Sequence, residues 1–126
     1  MMLLKGIVCP EWQGMKHFSR RMREYPDVFE RATGEHLYKG TLNVNVGKPI
    51  PVREHFRIRG TEINEPEQDL LFEVCRLHQI WAYRIRPFHI VTGEGGHGDH
   101  IVEIAASCKI PNVAPESEVE IALFPR

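Results

Sequence analysis

No segment of this sequence is apolar over the roughly 20 residues that a membrane-spanning helix requires. Its first residues, 1–6, lack the charged region and the long apolar stretch of a signal peptide. The cysteines, Cys9, Cys75 and Cys108, are odd in number and far apart, without the Cys-x-x-Cys spacing of a zinc site. The sequence therefore predicts a cytoplasmic protein with free thiols rather than a disulfide framework.

An excess of charge of one sign is also missing. Sixteen basic and seventeen acidic residues leave a formal net charge of -1. Nucleic-acid-binding domains normally carry a basic excess or stripe, and here the basic residues cluster only briefly, at Arg20, Arg21 and Arg23. We therefore expect no nucleic-acid partner, and the lack of a long apolar segment predicts no membrane partner either. The 126 residues contain no repeat and no linker, so residues 1–126 are predicted to form one domain.

One short helix is predicted in the first third of the chain. Apolar residues recur there at intervals of four and three, as in an amphipathic helix; they are Phe18, Met22, Tyr25, Phe29 and Ala32. Pro26 lies inside this stripe and would clash with the carbonyl of Met22. We therefore predict a loose turn up to Glu24 and then a helix that has Pro26 in its first turn and ends at Gly34.

After Gly40 the apolar residues alternate with period two, which is typical of strands. The clearest examples are residues 81–86, 102–107 and 118–123, and residues 3–8 are predicted to form an opening strand. Glycine and proline turns separate these segments, so the sequence predicts a small, mainly β barrel with one helix. Arg84 and Arg86 share a strand face, which we expect to be the solvated exterior or a phosphate contact. The acidic residues of segment 62–69 are expected to be solvated.

The most informative segment is Tyr-Lys-Gly-Thr-Leu-Asn-Val at residues 38–44. Gly40 permits a tight turn or a close backbone approach. Thr41 and Asn43 are two apart on an extended chain, so a hydroxyl and an amide oxygen point to the same side. Such hard oxygens suit Mg²⁺, which takes its remaining ligands from water and substrate phosphates. The alternative is an ordinary polar strand face after a turn.

Residues 25–46 resemble the archaeal CTP-dependent riboflavin kinases, in which a short helix leads into Gly, a Tyr and then Gly-Thr-Leu-Asn. Later segments are similar to strands of that family in the same order: residues 72–77, a proline at position 87, residues 100–106 and residues 118–121. The similarity covers nearly the whole chain and is specific around residues 40–43. It implies a six-stranded cradle-loop barrel.

The resemblance also implies an activity, the transfer of the γ-phosphate of CTP to riboflavin to give FMN. Thr41 and Asn43 would hold the Mg²⁺ cofactor. Glu103, the one charged residue in segment 101–105, lies where the family has a Glu near its flavin. It could bind the flavin or take the hydroxyl proton as a catalytic base, and His100 is an implied flavin contact. Alternation alone would also allow an outward polar residue at position 103.

The phosphate loop departs from the family, which carries several glycines after its first strand so that backbone N–H groups surround the phosphates. Residues 9–18 retain only Gly14. We therefore expect nucleotide contacts from Gly14, Lys16, His17 and Gly40, with side-chain charge replacing backbone donors. The alternative function is a non-catalytic barrel that binds a nucleotide or a flavin as a sensor or carrier.

The His-Gly-Asp-His run at residues 97–100 contains the chemistry of a transition-metal site, with imidazoles and a carboxylate close together. The glycine-rich residues 93–96 before it favour the alternative, a polar turn.

If Lys16 and His17 replace missing backbone donors, triphosphate binding should weaken steeply as salt is added, because exposed charge pairs are screened. A titration with CTP at low and high ionic strength measures this dependence, and Lys16→Ala should reduce it. Equal CTP affinity at both ionic strengths, or an unchanged CTP affinity in Lys16→Ala, would contradict the prediction.

Overall fold

The computed structural model describes residues 1–10, 17–38, 40–91, 100–111 and 113–125. Their elements in chain order are β1 (Met2–Val8), α1 (His17–Glu24), α2 (Pro26–Thr33), β2 (Leu42–Asn45), β3 (Phe56–Ile58), a 3₁₀ helix (Gly60–Ile63), β4 (Gln68–Leu77), β5 (Ile80–His89), β6 (Ile101–Ala106) and β7 (Glu118–Leu123). No helix in these residues is long and apolar enough to cross a membrane.

Six of the strands close into an antiparallel barrel. The ring runs β4-β5-β6-β2-β1-β7 and returns from β7 to β4. One edge of β4 is shared: β3 pairs with Leu70–Phe72, and β7 pairs with Cys75–Leu77. The six-stranded barrel that the sequence predicts is confirmed, and β3 is a seventh strand attached outside the closed ring.

Alternate residues of the barrel wall belong to two hydrophobic clusters, because side chains along a strand point to opposite faces. One cluster fills the barrel interior and includes Leu4, Val44, Leu77, Val102, Ile104 and Ile121. The other lies between the outer wall and the helices and includes Phe18, Met22, Phe29, Phe72, Ile85 and Ala105. Strands β4, β5 and β6 therefore contribute to a core on each face.

The prediction of one helix is wrong, because the residues before Glu24 also form a helix. α1 buries Phe18 and Met22, one turn apart on the same face, against the outer wall of the barrel. Arg20 and Arg23 are exposed. The helix stops before Tyr25 because the residue that precedes a proline is disfavoured in helical geometry.

The second helix has the limits that the sequence predicts. Pro26 occupies its first turn, where a missing N–H costs nothing. Gly34 follows its last residue with a left-handed φ of 76°, and its N–H donates to the Glu30 carbonyl at 2.7 Å. Glycine reaches this conformation without the strain that a Cβ would introduce.

A buried ion pair lies in the barrel interior between two neighbouring strands. Glu73 of β4 and Arg84 of β5 are directly opposite each other, and their relative exposures are 0% and 1%. Arg84 Nη1 lies 3.4 Å from Glu73 Oε1, which also accepts a hydrogen bond from the Arg53 N–H at 3.2 Å. Arg84 Nη2 donates to the Ile50 carbonyl. Through these backbone contacts the pair holds the β2–β3 connection against the barrel. The prediction that Arg84 is solvated is therefore wrong.

Two acidic residues of segment 62–69, Glu65 and Asp69, make ion pairs within the fold, although the sequence predicts that they are solvated. Arg21 makes hydrogen bonds of 2.7 and 2.9 Å to the Glu65 carboxylate. Asp69 is 4% exposed and accepts from Arg57 Nη1 and from the Gly60 N–H, each at 2.8 Å. A Cβ on Gly60 would lie 1.9 Å from the Glu65 carbonyl oxygen. This turn therefore requires glycine, and its ion pairs hold α1 and β3 beside β4.

Breaking the buried pair should destabilise the barrel strongly. Arg84→Met leaves the Glu73 carboxylate buried without a neighbouring positive charge, so the unfolding free energy should fall by about 3–5 kcal/mol. The double variant Glu73→Leu/Arg84→Met removes both charges and should recover much of that loss. Chemical denaturation measures each value.

The matched control is Arg20→Met, which removes an exposed arginine 3.9 Å from Glu24. It should change the unfolding free energy by about 0.5 kcal/mol or less. An Arg84→Met variant as stable as this control would show that the buried pair does not hold the barrel together.

Candidate functional site

The pairing of β2 with β6 brings together residues that the sequence assigns to the metal and the flavin. Asn43 is aligned with Glu103. Both side chains lie on the outer face, because Val44 and Val102 beside them fill the barrel interior. The Thr41 hydroxyl donates to Glu103 Oε2 at 2.6 Å. We call Thr41, Asn43 and Glu103 the β2–β6 polar cluster.

The polar cluster is largely shielded from solvent. Asn43 is 5% exposed and Glu103 is 4% exposed, while Thr41 is half-buried. Ile85 is aligned with Glu103 on its other side and belongs to the core under the helices. A hydrogen bond to an ionised carboxylate in such surroundings is stronger than one between neutral groups in water.

The hydrogen bond from Thr41 determines what else the cluster can bind. A hydroxyl has one hydrogen, and here Glu103 accepts it. The Thr41 oxygen then offers only lone pairs, and an ionised carboxylate also only accepts. These groups suit a hard cation such as Mg²⁺ and disfavour direct contact with a phosphate oxygen. The donor set therefore fits the metal that the sequence predicts.

In the part of the chain that the structure describes, no group of three or more His, Cys, Asp or Glu side chains could hold a metal ion. His97 and Asp99 lie outside that part, so the transition-metal hypothesis stays a prediction. His100 is exposed and immediately precedes β6. Its carbonyl accepts the Val46 N–H at 2.9 Å, which continues the β2–β6 pairing beyond the strand ends.

A cavity of about 350 Å³ adjoins the polar cluster on the Thr41 side. Gly40 and Thr41 line it together with Tyr38, and the segment after β6 adds Cys108 and Lys109. Apolar residues complete the wall; they are Leu42, Ile104, Ala106, Ile110 and Val113. An apolar pocket with a few polar groups is typical of a small-molecule site. No sequence motif points to Cys108 or Lys109.

Gly40 forms the tight turn that its residue type predicts. Its N–H donates to the Tyr38 carbonyl at 2.9 Å, and a Cβ would lie 3.1 Å from Tyr38 Cε1. The absence of a side chain at Gly40 thus leaves room for the Tyr38 ring beside the cavity.

The start of the predicted phosphate loop lies beside the polar cluster. The Cys9 N–H donates to the Asn43 carbonyl at 2.8 Å. Burial raises the pKa of the Cys9 thiol, and a backbone hydrogen bond from Asn45 opposes that rise. Gly14 and Lys16 lie outside the described residues. His17 begins α1, and its side chain is not among the parts that the structure describes.

No protein-family model matches this chain, and no curated protein shows significant similarity to it. A functional assignment therefore rests on the sequence pattern and on the polar cluster with its adjoining cavity.

Proposed function

We propose that the protein is a riboflavin kinase, which transfers the γ-phosphate of a nucleoside triphosphate, with CTP as the donor, to the 5′-hydroxyl of riboflavin to give FMN. The main support is the β2–β6 polar cluster. Thr41, Asn43 and Glu103 are three residues that the sequence resemblance assigns to one active site, and they meet although 62 positions separate Thr41 from Glu103.

The polar cluster is suited to phosphoryl transfer because that reaction needs positioning and charge neutralisation more than covalent chemistry. The Thr41 hydroxyl oxygen and the Asn43 amide oxygen would hold Mg²⁺. When bound, Mg²⁺ neutralises the charge of the triphosphate. The β2–β6 pairing fixes the backbone of Asn43, and the bond to Glu103 orients the Thr41 hydroxyl before substrate binds.

The donor nucleotide would lie between the phosphate loop and the cavity. Gly40 and Thr41 line the cavity, which is large enough to take the nucleoside part. The contact between Cys9 and Asn43 starts the phosphate loop beside the metal ligands. Gly14, Lys16 and His17 are the phosphate contacts of this proposal, and riboflavin would lie on the side of Glu103 and His100.

The second candidate is a binding barrel that takes up a nucleotide or a flavin without transferring phosphate. One observation favours it: residues 9–18 contain only one glycine, and glycines are what allow backbone N–H groups to converge on a triphosphate. Binding of both ligands without formation of FMN would support this candidate and contradict the kinase.

Thr41→Val should lower the rate of FMN formation by at least about tenfold, because it removes one of the proposed metal ligands. It also leaves a buried carboxylate with one donor fewer, which should cost about 1–3 kcal/mol of stability. Turnover with riboflavin, CTP and Mg²⁺, followed by separation of FMN, measures the first effect, and thermal unfolding measures the second.

Thr41→Ser is the matched control, since it retains the hydroxyl and should stay close to the wild-type rate. Full turnover in Thr41→Val would contradict the metal assignment. A loss in Thr41→Ser as large as the loss in Thr41→Val would show that the retained hydroxyl is not sufficient, and would also contradict the metal assignment.

Occupation of the cavity should protect Cys108 from alkylation. Cys108 is exposed and lines the cavity, while Cys75 is buried and burial raises its pKa to about 12, with the Glu73 charge adding to the shift. Near pH 8, Cys108 should therefore react first with iodoacetamide, and CTP with Mg²⁺ should slow that reaction severalfold.

Mass spectrometry of the labelled peptides identifies the modified thiol, and Cys108→Ser should abolish the fast phase. Labelling of Cys108 at an unchanged rate in saturating CTP would exclude the cavity as the nucleotide site.

A further inference from the structure

We infer that Glu103 is a positioning residue for Thr41, and that it acts on the cation through the Thr41 hydroxyl. Its carboxylate holds the hydroxyl hydrogen and so directs the oxygen lone pairs of Thr41 toward the metal. This inference rests on the Mg²⁺ site of the proposed function. It gives Glu103 a role other than that of a catalytic base or a metal ligand.

The direction of the hydrogen bond is the first observation. An ionised carboxylate cannot donate, so the hydrogen between Thr41 Oγ1 and Glu103 Oε2 belongs to Thr41. A threonine hydroxyl otherwise rotates freely about its C–O bond and could present its hydrogen to a cation. With that hydrogen held by Glu103, only lone pairs remain for the metal.

The oxygen–oxygen distance is the second observation. Two oxygens that bind one Mg²⁺ at right angles, each at about 2.1 Å, lie about 3.0 Å apart. Thr41 Oγ1 and Glu103 Oε2 are 2.6 Å apart, which is the distance of a direct, charge-assisted hydrogen bond. The arrangement therefore favours one ligand, Thr41, supported by a carboxylate behind it.

The position of each residue in the sheet is the third observation. Glu103 is the third residue of β6 and is paired on both sides, with Asn43 of β2 and Ile85 of β5. Thr41 precedes the first residue of β2, so no strand pair fixes it. The rigid element thus supplies the carboxylate, and the less constrained residue receives its orientation from it.

The chemistry of phosphoryl transfer favours a positioning role for Glu103 over the role of a base. Its transition state is loose and places little demand on a base. A partner that orients a metal ligand contributes more, since such second-layer partners commonly change metal affinity by roughly 10–100-fold.

The test is a double-mutant cycle on metal affinity, read from the electron paramagnetic resonance signal of free Mn²⁺ with protein alone. Glu103→Gln and Thr41→Val should each raise the Mn²⁺ Kd by about tenfold or more. The double variant should bind no more weakly than Thr41→Val, because Glu103 acts through Thr41. Glu118→Gln, an exposed carboxylate of β7, is the control and should match the wild type.

Glu103→Asp provides a second variant if glutamine disturbs folding. It retains the charge but is one methylene shorter, so it should lose the contact with Thr41 and weaken Mn²⁺ binding. Wild-type Mn²⁺ affinity in Glu103→Asp would show that the negative charge alone matters and would overturn the inference.

Two further outcomes would overturn it. In the first, Glu103→Gln weakens Mn²⁺ binding as much in the Thr41→Val background as in the wild type, which would make Glu103 an independent ligand or base. In the second, the wild-type protein binds no Mn²⁺. Non-additive losses in a protein that forms no FMN would support the positioning role and contradict only the kinase.

Discussion

The antiparallel register of β2 against β6 is the constraint on which the candidate site depends. Asn43 pairs with Glu103 and Val44 pairs with Val102. A slip of one residue would turn the polar pair into the barrel interior and the valines to the outer face. Val44 and Val102 are both 0% exposed, so burial of their side chains fixes the register. The hydrophobic interior thereby positions the polar cluster on the opposite face of the same strands.

Much of the fold could be predicted from local patterns, because each pattern has a local physical cause. Alternating apolar residues gave the strands, and Pro26 and Gly34 gave the limits of α2. The sequence does not predict the first helix, because Pro26 interrupts the apolar spacing and excludes one continuous helix through residues 18–32. In the structure Pro26 separates two helices, and Phe18 and Met22 stabilise the first by packing on the barrel.

The position of Arg84 shows a limit of period-two reasoning. β5 contributes to two cores, with Ala82 in the barrel interior and Ile85 under the helices. Alternation then predicts two faces without indicating which one is enclosed by the barrel. Arg84 faces inward and is buried because Glu73 on the neighbouring strand is directly opposite it. Such a partner depends on strand pairing, which the spacing of residues within one strand does not reveal.

The candidate site was predictable as a set of residues but not as an arrangement. Thr41, Asn43 and Glu103 follow from a short motif and from one charge in an apolar strand. The hydrogen bond between Thr41 and Glu103 joins distant segments and emerges only when β2 and β6 pair. The cavity beside Thr41 likewise combines Tyr38 with residues that follow β6.

The proposed function requires that the polar cluster support transfer of phosphate to a flavin. The most direct measurement is a single-turnover experiment with γ-³²P-labelled CTP, Mg²⁺ and riboflavin, in which the products are separated and the label is counted. We predict that the label appears in FMN as CDP forms in equal amount. Bound riboflavin and bound CTP with all of the label still in CTP would contradict the claim and identify a binding barrel instead.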